Sequence, residues 1–322
     1  MTARAPTTMR TLHVHSYGEP AGVLRLEEVA VPRPGADRIR VRVHACGLNP
    51  ADWALCRGFF PVPPPRGIGL DVSGTVDAVG EGVTGVNVGD LVFGVPDFMD
   101  YPTAGASDYA IMAVWAPVPK GLDLIEAAAL PMAVETAVRS LDLLGLASGQ
   151  TILVNGGGTM TGFAAVQMAL MRGAHVIATA GETFAARLRD LGAKVTPYGD
   201  GMVERVREIA GGAPNFALHT AQVKAVLPDL IKIVDGDPRR VMSFADFDED
   251  GLGVRTTGRE KGIILRYDAL SKYAQLAAQG RFTVPVGRTF GLEDWREALD
   301  LSLNRRAHGK LVLLLDRAAS AN

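Results

Sequence analysis

The chain has 322 residues, which is longer than a typical small domain and predicts two domains. Its 33 basic and 35 acidic side chains nearly balance without forming a basic block, which argues against nucleic acid or an anionic membrane as a partner. Two cysteines, Cys46 and Cys56, are too few for a disulfide framework or a four-thiolate zinc site. We expect a soluble, cytoplasmic protein, because neither a secretory signal nor a run of about 18 apolar residues occurs.

Short strand signals dominate the first third of the chain. Residues 38–45, RIRVRVHA, alternate between charged and apolar side chains, which is typical of a strand with one wet face. Further strands are predicted at 12–15, 72–79 and 90–95, and the prolines of the PVPPPRGIG segment predict an extended loop. Strands at this spacing, with Gly and Pro between them, predict a partly open barrel.

From about residue 126 onward, helical apolar spacing alternates with short apolar strands. Such alternation predicts an α/β domain in which helices cover both faces of a parallel sheet. The predicted helices are 126–130, 135–144, 162–172, 184–191, 202–210, 223–234, 271–279 and 295–303, and the predicted strands are 151–154, 175–178, 194–195, 216–219, 240–244 and 310–315.

The clearest pattern of strand, turn, helix and strand is TILVNGGGTMTGFAAVQMALMRGAHVIATA. A glycine turn before a helix lets the pyrophosphate of a dinucleotide approach backbone N–H groups. The G-x-G-x-x-G pattern is incomplete here, because the frame that ends at Gly162 has Thr159 in place of its middle glycine. The frame that begins at Gly156 and Gly158 has Thr161 in place of its last glycine. We therefore expect the Thr159 side chain either to hydrogen-bond the phosphates or to crowd them.

Six segments of the chain resemble, in this order, those of a known family. They are LHVHSYGEPAGVLRLEEVAVPRPG, VHACGLNPADWALCRG, GLDVSGTVDAVGEGVTGVNVGDLVFG, EAAALPMAVETAV, the glycine turn and AHGKLVLLL. With them the chain resembles the zinc-independent quinone oxidoreductase-like branch of the medium-chain dehydrogenase/reductase superfamily.

The resemblance implies a Rossmann doubly wound parallel sheet and a GroES-like β-barrel domain. We place the GroES-like substrate domain at 1–125 and 262–322 and the Rossmann nucleotide-binding domain at 126–261. The resemblance also implies NADPH-dependent hydride transfer to a small-molecule substrate, a quinone or an activated alkene such as an enone or enoyl compound, in a homodimer. The strand at 240–244 is expected to form a sheet edge that could pair with its copy across a two-fold axis.

Zinc-dependent members of the superfamily follow their first Cys with G-x-C-H and later present a Gly-His-Glu segment. Here Cys46 is followed by Gly-Leu-Asn-Pro, and the later segment reads Gly-Leu-Asp at 69–71. Because two expected ligands are missing, we predict no zinc at this site and interpret Cys46 as a small buried residue. The substrate oxygen must then be polarised by hydrogen bonds or by water.

Asn49 is the predicted catalytic residue, because it matches the family's Asn-Pro-x-Asp segment and its amide can both donate and accept hydrogen bonds. An Asn before Pro also suits an ordinary turn, and this alternative stays open. Trp53, Phe59 and the proline-rich loop are predicted to line the substrate pocket. Asp52 and Asp71 are interpreted as structural, because hydride transfer to such acceptors does not require a carboxylate pair.

The cofactor is predicted from the residues that follow the second Rossmann strand. Residues 179–181 are Thr-Ala-Gly and lack the acid that binds the ribose of NAD, which favours NADPH over NADH. NADPH-dependent relatives usually have a Ser at the position of Gly181 and a Lys at the position of Phe184. Glu182 would repel a 2′-phosphate if it pointed inward, whereas an exposed Glu at a helix start is its ordinary alternative.

Other residues are candidates for contacts with the nucleotide. Arg187, Arg189 or Lys310 could supply positive charge to a 2′-phosphate, or each could be solvated at the surface. Tyr198 matches a Tyr near the nucleotide in the family and Thr136 matches a Thr beside the nicotinamide, although each could be an ordinary packing residue. The predicted cofactor-binding residues are Thr136, Gly156, Gly157, Gly158, Thr159, Met160, Thr161, Gly162, Thr179, Gly181, Tyr198, Phe244 and Lys310.

The departures from the family pattern all lie on the cofactor side. Thr159, Thr161, Glu182 and Phe184 leave a second hypothesis open. In it, the protein has lost cofactor use and acts as a binding protein or as a non-redox enzyme on a bulky substrate. Binding of a dinucleotide discriminates between the two hypotheses.

Overall fold

The computed structural model describes residues 6–60, 62–223, 225–245, 250–257 and 262–315. Residues 1–5, 61, 224, 246–249, 258–261 and 316–322, which fall within several of the predicted segments, lie outside the described residues. The chain forms two compact units. Unit 1 comprises the residues up to 132 and those from 270 onward, and unit 2 comprises residues 133–269. Among the described residues, no helix is long and apolar enough to cross a membrane.

The elements are numbered in chain order. The strands are β1 (Thr8–Val14), β2 (Leu24–Ala30), β3 (Ile39–Leu48), β4 (Arg66–Gly67), β5 (Asp71–Val79), β6 (Leu91–Pro96), β7 (Tyr109–Pro117), β8 (Thr151–Asn155), β9 (His175–Thr179), β10 (Lys194–Thr196), β11 (Phe216–His219), β12 (Val241–Ser243), β13 (Arg255–Thr256), β14 (Val286–Gly291) and β15 (Lys310–Leu314). The α-helices are α1 (Pro20–Val23), α2 (Pro50–Cys56), α3 (Leu124–Ala129), α4 (Pro131–Leu144), α5 (Met160–Met171), α6 (Glu182–Asp190), α7 (Met202–Ala210), α8 (Leu227–Ile233), α9 (Leu270–Ala278) and α10 (Trp295–Leu303). Short 3₁₀ helices cover Pro238–Arg240, Tyr267–Ala269 and Leu292–Asp294.

Unit 1 is built around a barrel whose central strand is β3. Ile39, Val41 and Val43 of β3 are buried while Arg42 is exposed, as the alternating sequence predicts. β3 pairs antiparallel with β5 and with β7, and β6 joins β5 to β7, so that β3, β5, β6 and β7 close a ring. β15 also pairs antiparallel with β3. A smaller sheet has the strand order β2, β1, β4. Because β15 comes from the end of the chain, unit 1 is completed only by the return of the chain into its first half.

Unit 2 is a parallel six-stranded sheet with the order β10, β9, β8, β11, β12, β13. In sequence this order is 3-2-1-4-5-6, which is that of a Rossmann sheet and confirms the predicted doubly wound fold. The order reverses between β8 and β11, and the carboxyl ends of strands at such a point form a crevice for ligands. Helix α5 follows β8, and its residues from Gly162 to Ala169 are buried, as expected of an almost wholly apolar helix.

The prediction of a sheet edge at 240–244 is wrong. β12 covers Val241–Ser243 and has a neighbour on each side, because β13 pairs Arg255 with Met242 and Thr256 with Ser243. A two-residue strand leaves no periodic pattern in the sequence, so this neighbour could not be anticipated. The strands β2, β7 and β14 were also not predicted, and the helix expected at 223–234 begins only at Leu227.

Candidate functional site

Asn49, Asp71 and Lys310 form a buried polar network in unit 1. Lys310 Nζ lies 2.6 Å from Asp71 Oδ2 and 2.5 Å from Asn49 Oδ1. Asn49 Nδ2 donates to Asp71 Oδ2 at 3.0 Å. The three residues are 7%, 0% and 2% exposed, respectively, so the ammonium and the carboxylate compensate each other out of contact with water.

Strand pairing brings this network together. β3 and β5 pair so that Gly47 faces Asp71, and β15 pairs antiparallel with β3. Asn49 follows β3 and Lys310 begins β15, so the three side chains meet at the same end of neighbouring strands. Gly47 leaves room for the Lys310 stem, because a Cβ at position 47 would lie 2.8 Å from Lys310 Cε.

Asp52 lies beside the network and binds main-chain groups. Its Oδ2 accepts from Asn49 N and its Oδ1 from Gly69 N, both at 2.7 Å. Burial raises the pKa of Asp52 to about 7, although these two N–H groups act in the opposite direction. Asp71 Oδ1 similarly accepts from Met132 N at 2.9 Å. These contacts support the interpretation of both carboxylates as structural.

The two predicted pocket residues have different environments. Trp53 is only 2% exposed and lies in the core of unit 1, where its Nε1 donates to Ser302 Oγ at 2.8 Å. Phe59 is 56% exposed and packs edge to face on Phe60, which packs in the same way on Phe98. Trp53 therefore has a packing role, whereas Phe59 presents an apolar face that a substrate could contact. Both pocket assignments stay predictions.

In unit 2, Thr159 caps helix α5 at the glycine turn. Its Oγ1 accepts from Gly162 N at 3.0 Å and donates to Thr220 Oγ1 at 2.9 Å. Thr220 Oγ1 in turn donates to Gly156 O at 2.8 Å. The Thr159 hydroxyl thus holds the turn together. The sequence predicts only that Thr159 would hydrogen-bond the phosphates or crowd them.

Polar side chains at the ends of three parallel strands support the same turn. Thr179 Oγ1 donates to Asn155 Oδ1 at 2.7 Å and accepts from Gly156 N at 2.9 Å. Asn155 Nδ2 lies 2.9 Å from His219 Nδ1. Asn155, His219 and Thr220 were not predicted as site residues. The available signal was their shared position at or just after the carboxyl ends of β8 and β11.

The exposed side of the turn offers main-chain donors. Within the described part of the chain, no hydrogen bond occupies the N–H groups of Gly158, Met160 or Thr161, and all three residues are partly exposed. Such groups at a helix N-terminus attract phosphate. Gly162 lets α5 approach the turn closely, because a Cβ there would lie 2.7 Å from Thr220 Oγ1. The turn therefore fits the pyrophosphate of a dinucleotide.

Two further predicted cofactor residues lie in unit 2. Thr136 is buried on α4, and its Oγ1 donates to Glu135 Oε2 at 3.3 Å. Glu135 is itself buried and pairs with Arg139 at 2.6 Å. Phe244 follows β12 and is half-buried, with its N–H directed at His219 O at 3.5 Å. A nicotinamide contact of Thr136 or Phe244 stays a prediction.

Comparison with known proteins identifies the family. A family model described as "Alcohol dehydrogenase GroES-like domain" matches residues 35–116, and one described as "Zinc-binding dehydrogenase" matches residues 132–313, more than half of the chain. The chain belongs to the medium-chain dehydrogenase/reductase superfamily. Its curated relatives include quinone oxidoreductases, which agrees with the predicted branch.

Individual relatives cover different shares of this superfamily member. The chain is 35% identical to "Quinone oxidoreductase" of Rattus norvegicus over 179 residues, which cover 54% of the chain and 53% of the relative. It is 35% identical to "2-methylene-furan-3-one reductase" of Solanum lycopersicum over 202 residues, 58% of the chain and 51% of the relative. These two matches thus span about half the length of the relatives. A solved "alcohol dehydrogenase superfamily protein from Novosphingobium aromaticivorans" has a TM-score of 0.83 and 27% identity, covering 96% of this chain and 100% of that one.

The zinc implied by the description of the second family model does not fit the residues of this superfamily member. Cys46 is fully buried against Gly69, where a Cβ would lie 2.6 Å from its Sγ. Burial, followed by the charges of Asp52 and Asp71, raises the pKa of the Cys46 thiol well above its usual value. Asp71, which takes the place of the Glu in the zinc motif, is already paired with the Lys310 ammonium. A divalent cation bound to Asp71 would have to approach this ammonium.

The expected Lys of NADPH-dependent superfamily members is replaced by a core residue. Phe184 is 7% exposed, and its ring centroid lies 5.7 Å from that of Phe163. A Cβ on Gly158 would lie 3.2 Å from Phe184 Cδ2, so the ring packs directly against the turn. Arg187 is exposed and its guanidinium lies 5.5 Å from the Phe163 ring centroid. Phe184 therefore contributes packing to the turn and no charge to a cofactor.

The groups beyond β9 surround a small cavity. It has a volume of about 310 Å³ and is lined by Glu182, Arg189 and Thr196 among other residues. Tyr198 is 67% exposed, and its hydroxyl would lie 3.8 Å from a Cβ on Gly181.

Lys310 is in unit 1 and is buried, so the alternative that it is solvated at the surface is wrong. A contact of Lys310 with the cofactor remains untested.

We predict that removing the Lys310 charge strongly destabilises the protein. Lys310→Met leaves the buried Asp71 carboxylate without its cation, which costs about 3–5 kcal/mol of unfolding free energy. The double variant Lys310→Met/Asp71→Asn regains most of this loss, because no uncompensated charge remains. Urea denaturation measures both. Lys232→Met breaks an exposed pair with Asp229 and should change little. Equal losses in the single and double variants would contradict the prediction.

We also predict a specific pH dependence of stability from Asp52. Its pKa rises from 3.8 to about 7 on folding, so between these values the folded state holds a proton that the unfolded state has released. The unfolding free energy therefore falls as pH rises through this window, by up to about 1.4 kcal/mol per pH unit. The stability difference between the wild type and Asp52→Asn, measured by urea denaturation across this window, should shrink accordingly. A pH-independent difference for Asp52→Asn would refute the assignment.

Proposed function

We propose that the protein is an NADPH-dependent oxidoreductase that transfers a hydride to a quinone or an activated alkene, such as an enone or enoyl compound, without zinc. The observation that carries this proposal is the buried Lys310–Asp71 ion pair beside Asn49. Its ammonium lies in the part of unit 1 where zinc-dependent relatives have metal ligands, and it contacts the Asn49 amide directly. The printed names of the relatives, a quinone oxidoreductase and a furanone reductase, support this substrate class.

Asn49 is the proposed catalytic residue, and its amide orientation is set by charged neighbours. Its Oδ1 faces the Lys310 ammonium and its Nδ2 faces the Asp71 carboxylate, an arrangement that a flipped amide would reverse. The second contact of Nδ2, with Gly47 O, is longer at 3.3 Å. We propose that the Nδ2–H group that now donates to Gly47 O donates instead to the oxygen of the bound substrate. The ammonium on Oδ1 polarises the amide and strengthens that hydrogen bond, and water supplies the proton.

The cofactor fits the turn of unit 2. Bound NADPH supplies the hydride, and the N–H groups of Gly158, Met160 and Thr161 would hold its pyrophosphate. NADPH is proposed over NADH because residues 179–181 offer no acid for a ribose hydroxyl. The Thr159 hydroxyl caps α5, which weakens the argument from Thr159 for a protein without cofactor, whereas Phe184 leaves the expected Lys absent. We also propose a homodimer on the basis of the family resemblance.

We expect saturable NADPH binding below the millimolar range, followed by fluorescence of the purified, chelator-treated full chain. Gly158→Asp should weaken binding by at least about tenfold, because a carboxylate beside the main-chain donors repels the pyrophosphate. Gly22→Asp is the matched control, since a Cβ at Gly22 meets nothing within 4 Å. The NADPH-loaded protein should then reduce a 1,4-quinone or an α,β-unsaturated ketone. Absence of saturable binding would favour the cofactor-free alternative. Loss of turnover after chelation with no loss of folded structure, followed by circular dichroism, would contradict the zinc-free mechanism.

Asn49→Ala should lower kcat by about 100-fold, the usual loss when one donor to a developing oxyanion is removed. The affinity for NADPH should stay unchanged, because Asn49 supplies none of the main-chain N–H groups that would hold the pyrophosphate. Steady-state kinetics and the fluorescence titration separate these two quantities. Asn87→Ala, at an exposed Asn of unit 1, serves as the control. An unchanged kcat in Asn49→Ala would contradict the catalytic role and favour the alternative, in which Asn49 is an ordinary turn residue before Pro50.

A further inference from the structure

His13, His15 and Glu27 form a partly buried cluster on one face of the β1–β2 ribbon in unit 1. Their ligand atoms all lie within 4.8 Å of one another, and among the described residues this is the group of His, Cys, Asp and Glu side chains arranged to hold a metal ion. The proposed redox function uses none of the three residues. The cluster also shares no residue with the Asn49–Asp71–Lys310 network.

The antiparallel pairing of β1 with β2 explains the cluster. His13 belongs to β1, and His15 follows the strand in a bend that keeps the two imidazole rings close to each other. Glu27 pairs with Thr11, which places it diagonally across from His13 on one face of the ribbon. The ribbon thus presents two imidazoles and one carboxylate together, although His13 and Glu27 are 14 residues apart in the chain.

The distances suit three ligands of one ion. His13 Nδ1 lies 2.6 Å from Glu27 Oε1, and His15 Nε2 lies 3.0 Å from each Glu27 oxygen. The two imidazole ring centroids are 6.0 Å apart and nearly perpendicular, with an interplanar angle of 82°. Ligands about 2.0–2.2 Å from a tetrahedral zinc ion lie about 3.3–3.6 Å from one another, so small side-chain rotations suffice.

Burial makes the site one-sided. His13 is 5% exposed, whereas the side chains of Glu27 and His15 are 30% and 55% exposed. His13 and Glu27 are the two more buried ligands and are held by the paired strands β1 and β2. The side of the cluster beyond His15 is open to a water molecule. Two His, one carboxylate and one open position form a known zinc ligand set.

His13 directs one ring nitrogen at the other ligands of the cluster. Its Nδ1 lies 2.6 Å from Glu27 Oε1, while its Nε2 is buried and has no hydrogen-bond partner within the described residues. A neutral imidazole with its proton on Nε2 presents the Nδ1 lone pair to a metal. The Nε2–H group is then buried without an acceptor, a cost that the bond to the metal has to exceed.

We propose that His13, His15 and Glu27 bind one Zn²⁺ ion, with water completing the coordination shell. The ion joins β1, which carries His13, and the segment after β1, which carries His15, to β2, which carries Glu27. In the described sheet of order β2, β1, β4, the strand β2 is at the edge. Its role is structural: it holds β2 onto β1. Hard cations such as Mg²⁺ do not fit, because they prefer an all-oxygen shell.

Isothermal titration of the metal-free full chain with Zn²⁺ tests the site. We expect one equivalent to bind, with at least a tenfold loss of affinity in His15→Ala and in Glu27→Gln, and no binding of Mg²⁺. These two variants are chosen because His15 and Glu27 are partly exposed, whereas substitution of the buried His13 could unfold the chain. His175→Ala, at an exposed histidine of unit 2, is the matched control and should bind as the wild type does.

Two further readouts complete the test. Zn²⁺ should raise the Tm of the wild type and of His175→Ala but not of His15→Ala, since only an occupied site stabilises the folded state. Co²⁺ in place of Zn²⁺ should produce visible absorption bands that are lost in Glu27→Gln. The proposal is overturned if no saturable Zn²⁺ binding occurs, or if His15→Ala and Glu27→Gln bind as the wild type does. Both outcomes are independent of NADPH binding and turnover.

Discussion

The buried ion pair between Lys310 and Asp71 is the constraint on which unit 1 depends. Removing an ammonium and a carboxylate from water is costly unless each is fully compensated by its neighbours. Here Asn49 bridges the pair, and the main-chain N–H of Met132 satisfies the second oxygen of Asp71. This compensation requires β3, β5 and β15 to keep their registers, because a shift of one residue would turn a side chain to the opposite face. The same constraint that holds the strands together fixes the amide of the proposed catalytic residue.

In unit 2, threonine hydroxyls maintain the shape of a turn for which the family pattern uses glycine. Thr159, Thr179 and Thr220 each hydrogen-bond the turn or its flanking strands. Their hydroxyls bond protein groups, and the N–H groups of Gly158, Met160 and Thr161 are left for a phosphate. Substitution of the middle glycine is therefore compatible with nucleotide binding. A backbone surface of this kind distinguishes phosphate by geometry and charge, and in the proposed function the side chains beyond β9 distinguish the rest of the cofactor.

The sequence predicts the fold well where signals are local. The apolar runs of β8 and β11, the glycines of the turn and the alternation of β3 place their elements within a few residues. Helix α5 begins before its predicted start because the Thr159 cap depends on a hydrogen bond that spacing does not reveal. The site is less predictable. Asp71 and Lys310 are 239 residues apart, and only the tertiary pairing of β15 with β3 brings them together. The same holds for β12, whose outer neighbour β13 is too short to leave a pattern.

The return of β15 into unit 1 has a consequence for the order in which the chain is made. Unit 2 is continuous, from residue 133 to residue 269, and a ribosome completes it before it reaches Lys310. Asp71, in contrast, emerges early and has no cation until 239 further residues have been added. The ring of β3, β5, β6 and β7 can pair without β15, but the site that buries Asp71 beside its cation is incomplete until β15 is added. Pairing of β15 with β3 then becomes a late step of biogenesis, and a ribosome that stalls before codon 310 leaves a chain whose unit 2 is complete and whose Asp71 has no cation.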